Sequence, residues 1–162
     1  MLPHAKGGLY MKNQNFLKMA VFALLVTLAN GVQAEEVKHD PSACPDLTGY
    51  FIFPDEVFEP MKLKVVSDKN SAGVPTLNMI DPDSGNEDLT LLDGEKKTEG
   101  ALAIRAVCSD LKVFFYEYEN EKTLRTSTLS LDLQKDLVLE ILEDGQEPLR
   151  EVGKRQPQDL SL

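Results

Sequence analysis

ALAIRAVCSDLKVFFYEY, residues 101–118, holds two apolar-rich runs on either side of Ser109-Asp110. Each run alternates in character along its length, the period of a β-strand, and a short polar break between two such runs marks a hairpin. A two-residue turn at Ser109-Asp110 pairs residue 108 with residue 111, sets Ala106 opposite Val113 and sets Ile104 opposite Phe115. One face of the hairpin then carries Leu102, Ile104, Ala106, Val113 and Phe115, and the other carries Ala103, Arg105, Phe114, Tyr116 and Tyr118.

Similar runs recur on both sides. Strands are expected at 48–53, 61–67, 74–80, 88–92, 123–131 and 137–143, besides 101–108 and 111–118. The breaks between them are rich in Asp, Asn, Gly and Pro, as in Asp81-Pro82-Asp83-Ser84-Gly85-Asn86 and Glu143-Asp144-Gly145. Many short strands at even spacing, with turn chemistry between them, indicate an all-β barrel or sandwich. Residues 131–143 are the one serious helical rival. Helical spacing from Leu131 lands on Gln134 and Lys135, whereas alternation through Leu137, Leu139 and Ile141 fits a strand. Residues 35–43 are polar and read as a loose lead-in. The charged tail from Pro148 onward reads as frayed.

The amino-terminal 34 residues differ from the rest. Lys12 and Lys18 precede the apolar run 19–26, and Asn30-Gly31-Val32-Gln33-Ala34 follows it. This is the pattern of a secretory signal, with Met11 the natural start and cleavage expected after Ala34. The apolar run is short for a bilayer span, which leaves an N-terminal membrane anchor as the lesser alternative, and no cysteine follows the cut to carry a lipid. Residues 35–162 then form one domain. All 27 acidic residues and 14 of the 17 basic ones lie beyond residue 34, a net charge of −13. Such a chain repels nucleic acid and anionic lipid and attracts cationic partners.

Two cysteines, Cys44 and Cys108, remain after the cut. An even count in an exported chain indicates a disulfide. The bond also tests the strand count, because its α-carbons must come within about 6 Å. In an up-and-down meander Cys44 lies at the base of the first strand. Cys108 reaches that base only if 101–108 is the sixth strand. Asp93-Gly94 supplies the missing reversal, a hairpin turn that folds 88–92 back into a short polar strand at 95–98. Nine strand segments result.

Cys44, Leu47, Thr48 and Gly49 stand at the opening of the first strand, followed by Tyr50 and Phe51. This opening resembles the calycin group of small β-barrels, in which lipocalins begin with Gly-x-Trp and avidins with Cys-x-Leu-Thr-Gly-x-Trp. The resemblance covers about ten residues and the strand rhythm. It implies a small antiparallel meander barrel, with Gly49 allowing a close approach and Tyr50 or Phe51 plugging one end. The chain departs from the pattern in an extra residue between Cys44 and Leu47 and in having no tryptophan, so the biotin pocket of avidins does not carry over. In size and export the chain is also similar to periplasmic inhibitors of metalloproteases and of lysozyme.

No catalytic set emerges. His39 is the single histidine after the cut, and it lies in the polar lead-in without an orienting partner. No Gly-x-Ser-x-Gly or phosphate-cradling loop occurs. No cofactor is implied. Residues 81–88 offer hard oxygen ligands for calcium but break the EF-hand pattern at Gly85, so an acidic turn is the expected outcome. The informative cluster is the aromatic face of the central hairpin. If the following turn occupies 119–122, Arg125 falls opposite Tyr116, so Arg105, Tyr116 and Arg125 share one face. Lining the barrel, they would hold a small amphiphilic anion, since guanidinium forks suit carboxylates. Fatty-acid carriers among related barrels use a similar Arg and Tyr set. Facing outward, they would form a patch for a protein partner, or plain cross-strand packing with the arginines on Glu117 or Glu119. The alternative function is an inhibitor or adaptor that grips a cationic protein through acidic loops.

Overall fold

The computed structural model describes residues 36–55 and 59–157. The expected signal segment lies outside the described residues. Among the described residues no helix is long and apolar enough to cross a membrane. The chain forms ten antiparallel strands: β1 (Gly49–Phe53), β2 (Met61–Lys69), β3 (Pro75–Ile80), β4 (Glu87–Leu91), β5 (Lys96–Glu99), β6 (Leu102–Ser109), β7 (Lys112–Glu119), β8 (Lys122–Leu131), β9 (Leu137–Glu143) and β10 (Leu149–Gln156). The nine strands read from the sequence are all present. Residues 137–143 are a strand and not a helix.

The tail departs from expectation. Residues 149–156 of it form β10, which lies between β1 and β9. The strand order is β4-β3-β2-β1-β10-β9-β8-β7-β6-β5, which is chain order wrapped round so that the last strand meets the first. The one seam left unpaired lies between β4 and β5. Here too the structure corrects the sequence reading: Asp93-Gly94 reverses the chain, but β4 and β5 do not pair as a hairpin. Instead the link steps from one edge of the sheet to the other. The Leu92 N–H donates to the Pro75 carbonyl at the start of β3, and the Gly94 N–H donates to the Ala106 carbonyl in β6, at 2.9 and 3.0 Å. The curled sheet is thus a half-barrel whose edges approach each other at the lower end, where this link runs.

That lower end is filled. Leu47, Phe51, Val65, Leu77, Cys108, Val113 and Leu137 are fully buried there in one cluster. Cys44 and Cys108 are disulfide-bonded with α-carbons 4.8 Å apart, as the sequence required. Gly49 meets the expected close neighbour: a β-carbon there would stand 2.7 Å from the Arg155 guanidinium and 2.8 Å from the Phe51 ring. Arg155 lies over that ring, 4.9 Å from its centre, and donates to the carbonyls of Lys135 and Thr48.

Residues 36–44 form a docked strap, contrary to the loose lead-in expected. The disulfide anchors one end. The Asp40 N–H donates to the Cys108 carbonyl at 2.8 Å, and the Cys108 N–H donates to His39 Nδ1 at 3.1 Å. His39 is therefore a structural acceptor rather than a solvated side chain.

Candidate functional site

The two faces of the β6–β7 hairpin hold the residues assigned from the sequence, although the turn sits one position later. Asp110 and Leu111 occupy it with φ of 49° and 58°, the left-handed pair that a two-residue hairpin turn requires. Ser109 pairs with Lys112, Cys108 with Val113 and Arg105 with Tyr116. Moving both strands by one position together preserves the parity, so no side chain changes face.

The β7–β8 hairpin is different. Its turn is where the sequence placed it, with Glu119 opposite Lys122 and Tyr118 opposite Thr123. One extra residue, Leu124, then bulges from β8, and beyond it Glu117 pairs with Arg125 and Tyr116 with Thr126. A one-residue slip sends a side chain to the opposite face. Arg125 therefore does not join Arg105 and Tyr116.

Arg105 and Tyr116 lie on the outer face beneath the strap. Arg105 donates from Nε to the Gly94 carbonyl at 2.8 Å and from Nη1 to Glu36 Oε2 at 2.6 Å. The Val37 N–H donates to the Tyr116 hydroxyl at 2.9 Å, and Tyr118 donates to Glu36 Oε1 at 2.7 Å. Phe114 stacks on Tyr116, and Lys96 sits 4.1 Å above the Tyr118 ring. Burial, and then the bond to Glu36, push the Tyr118 hydroxyl up to about 12. Burial also raises Tyr116. Every polar end in this cluster is engaged by the protein itself, so it acts as a clasp for the strap.

Arg125 instead points into the concave side of the sheet. It is 9% exposed and lies at the polar end of a half-open cavity of about 190 Å³. Apolar walls come from Phe53, Met61, Leu63, Met79, Phe115, Leu129, Leu139 and Ile141. Thr90 and Ser127 add small polar surface, and Asp88, Glu117 and Glu151 bring carboxylates from β4, β7 and β10. Arg125 donates from Nε and Nη2 to Glu117 Oε1 at 2.7 and 2.5 Å, and Glu143 lies 3.8 Å from Nη1. Burial raises the Glu117 carboxyl more than Arg125 lowers it. Asp88 is raised by burial alone. Ile104 lines the cavity yet is 38% exposed, so the opening runs along the unpaired β4/β5 side.

The acidic loop at 81–86 is a turn, tied to β2 by the Lys62–Asp83 ion pair at 2.9 Å. Asp81 accepts from the N–H groups of Asp83 and Ser84 and from the Ser84 hydroxyl, which hold it below the usual carboxylate range. Among the described residues no three His, Cys, Asp or Glu side chains converge as metal ligands. No protein-family model, curated protein or solved structure matches the chain.

Proposed function

We propose that the protein is a non-catalytic binding protein that takes a small amphiphile into the concave cavity. The observation that carries this reading is the cavity itself: apolar on most of its wall, polar at one end, and placed where the half-barrel is left open. Ligand sites have this composition, mostly apolar with a few placed polar groups. At about 190 Å³ the space is below the roughly 300–1,000 Å³ of drug-sized sites, which points to a short ligand or to insertion of one end of a longer one. Arg125 is the one residue of the expected trio in position to meet it.

The ring-wise strand order and the Gly49–Phe51–Arg155 contact support a calycin-like barrel. The Cys44–Cys108 bond supports an oxidising compartment, and the signal pattern of residues 1–34 supports a periplasmic or secreted protein. Native mass spectrometry of gently purified protein tests the reading. The expected result is a small added mass that is lost on denaturation. Bare protein that also fails to take up any short-chain amphiphile overturns it.

A further inference from the structure

We infer that the cavity selects amphiphiles with a positively charged head, such as a primary ammonium. The inference rests on the cavity reading above and specifies its ligand class. The wall carries one cation, Arg125, against three carboxylates, Asp88, Glu117 and Glu151. Arg125 is already committed: Glu117 takes two of its N–H groups, and Glu143 lies beside a third nitrogen. Once that pair is set aside, Asp88 and Glu151 remain as the charges that an incoming head group meets. The Asp88 carboxylate, which lines the cavity, makes no hydrogen bond or ion pair among the described residues, and its surroundings cost it solvation without returning a partner. A carboxylate in that position gains most from a ligand that brings a charged donor. An anionic head would meet the same two carboxylates as repulsion. Arg105 is held on the outer face by Glu36 and the Gly94 carbonyl, and Lys97 of β5 is paired with Asp93 at 2.8 Å.

Asp88 also sits at the mouth. It belongs to β4, an edge strand along the unpaired seam, so a head group can reach it as the tail passes inward to Phe115, Leu129 and Leu139.

The test is calorimetric titration at pH 7 with three probes of one chain length: octylammonium, octanol and octanoate. The expected order of affinity is octylammonium, then octanol, then octanoate. The Asp88→Asn variant loses about tenfold for octylammonium and keeps its affinity for octanol, which also shows that its cavity is intact. Glu147→Gln, which removes one exposed charge outside the cavity, leaves octylammonium binding unchanged. Equal binding of the three probes, tighter binding of octanoate, or octylammonium binding indifferent to Asp88→Asn overturns the charge selection while leaving the cavity reading in place. Binding of none of the three probes overturns both.

Discussion

Breaking the disulfide tests how much of the fold depends on a constraint on the unfolded chain. Cys44 and Cys108 are 64 positions apart, and a bond across that span lowers the entropy of the unfolded ensemble by an amount worth about 4 kcal/mol. Small domains have roughly 5–15 kcal/mol in all. Cys44→Ala is the cleaner substitution, because it leaves Cys108, which is fully buried, as a small apolar side chain in the core cluster. The folded state has reason to survive. The strap keeps its backbone bond from Asp40 to Cys108, the His39 acceptor and the Glu36–Arg105 pair. The assay is urea unfolding of the variant and the oxidised parent, followed by circular dichroism. With a urea slope of about 2 kcal/mol per molar, the midpoint should fall by about 2 M. A fall worth less than about 1 kcal/mol would refute the loop-entropy account, and would mean that the strap holds the two ends together without the bond.

Two further substitutions probe the closing strand and the cavity. A β-carbon at Gly153 would stand 2.5 Å from the Phe53 ring, so Gly153→Ala should cost about 1–3 kcal/mol by overpacking. An unchanged melting curve would show that the ring can turn aside. Asp88→Asn should stabilise the unliganded protein at pH 7, because burial penalises the charged carboxyl. Its folded value lies above the ordinary 3.8, so the parent gains stability as pH falls through that raised value. The advantage of the variant should therefore shrink toward pH 4, with Glu117, Glu143, Glu151 and Arg125 the other charges of the cavity region. An advantage that does not vary with pH would rule out the Asp88 charge as its source.

Most of the strand pattern was legible because apolar residues recur at alternate inner positions of β1 to β3, β6 and β9, and at Val113 and Phe115 of β7 and Leu129 and Leu131 of β8. β10 was not, and its inner face explains why. Glu151 points into the cavity, Gly153 yields its space to Phe53, and Arg155 lies across Phe51. A closing strand laid against the large aromatics of β1 has no room for apolar side chains of its own, so it lacks the alternation that marks a strand. The failed β4–β5 hairpin is similar in kind. Asp93-Gly94 encodes a reversal, but local turn chemistry does not say whether the two arms pair or go to opposite edges of a sheet. The candidate cavity was not legible, because Arg125 reaches it only through the bulge at Leu124. The clasp residues Arg105 and Tyr116 were grouped correctly, but the strap that covers them, held through Glu36 and His39, carries no strand signal.

The bulge at Leu124 ties the remaining pieces together. Without the extra residue, Arg125 would face outward beside Tyr116, and Glu117 would be left as an interior carboxylate with no cation. Removing one partner of such a pair costs about 3–5 kcal/mol, so the bulge and the Arg125–Glu117 pair depend on each other. The pair in turn occupies an end of the interior where the neighbouring inward positions include the small polar Thr90 and Ser127, while the lower end is packed with Phe51, Leu77 and Leu137. A continuous apolar core could have filled the half-barrel from end to end. A buried ion pair at the open end prevents this: it needs polar surroundings, so the apolar core stops short of it and the half-open cavity lies between them.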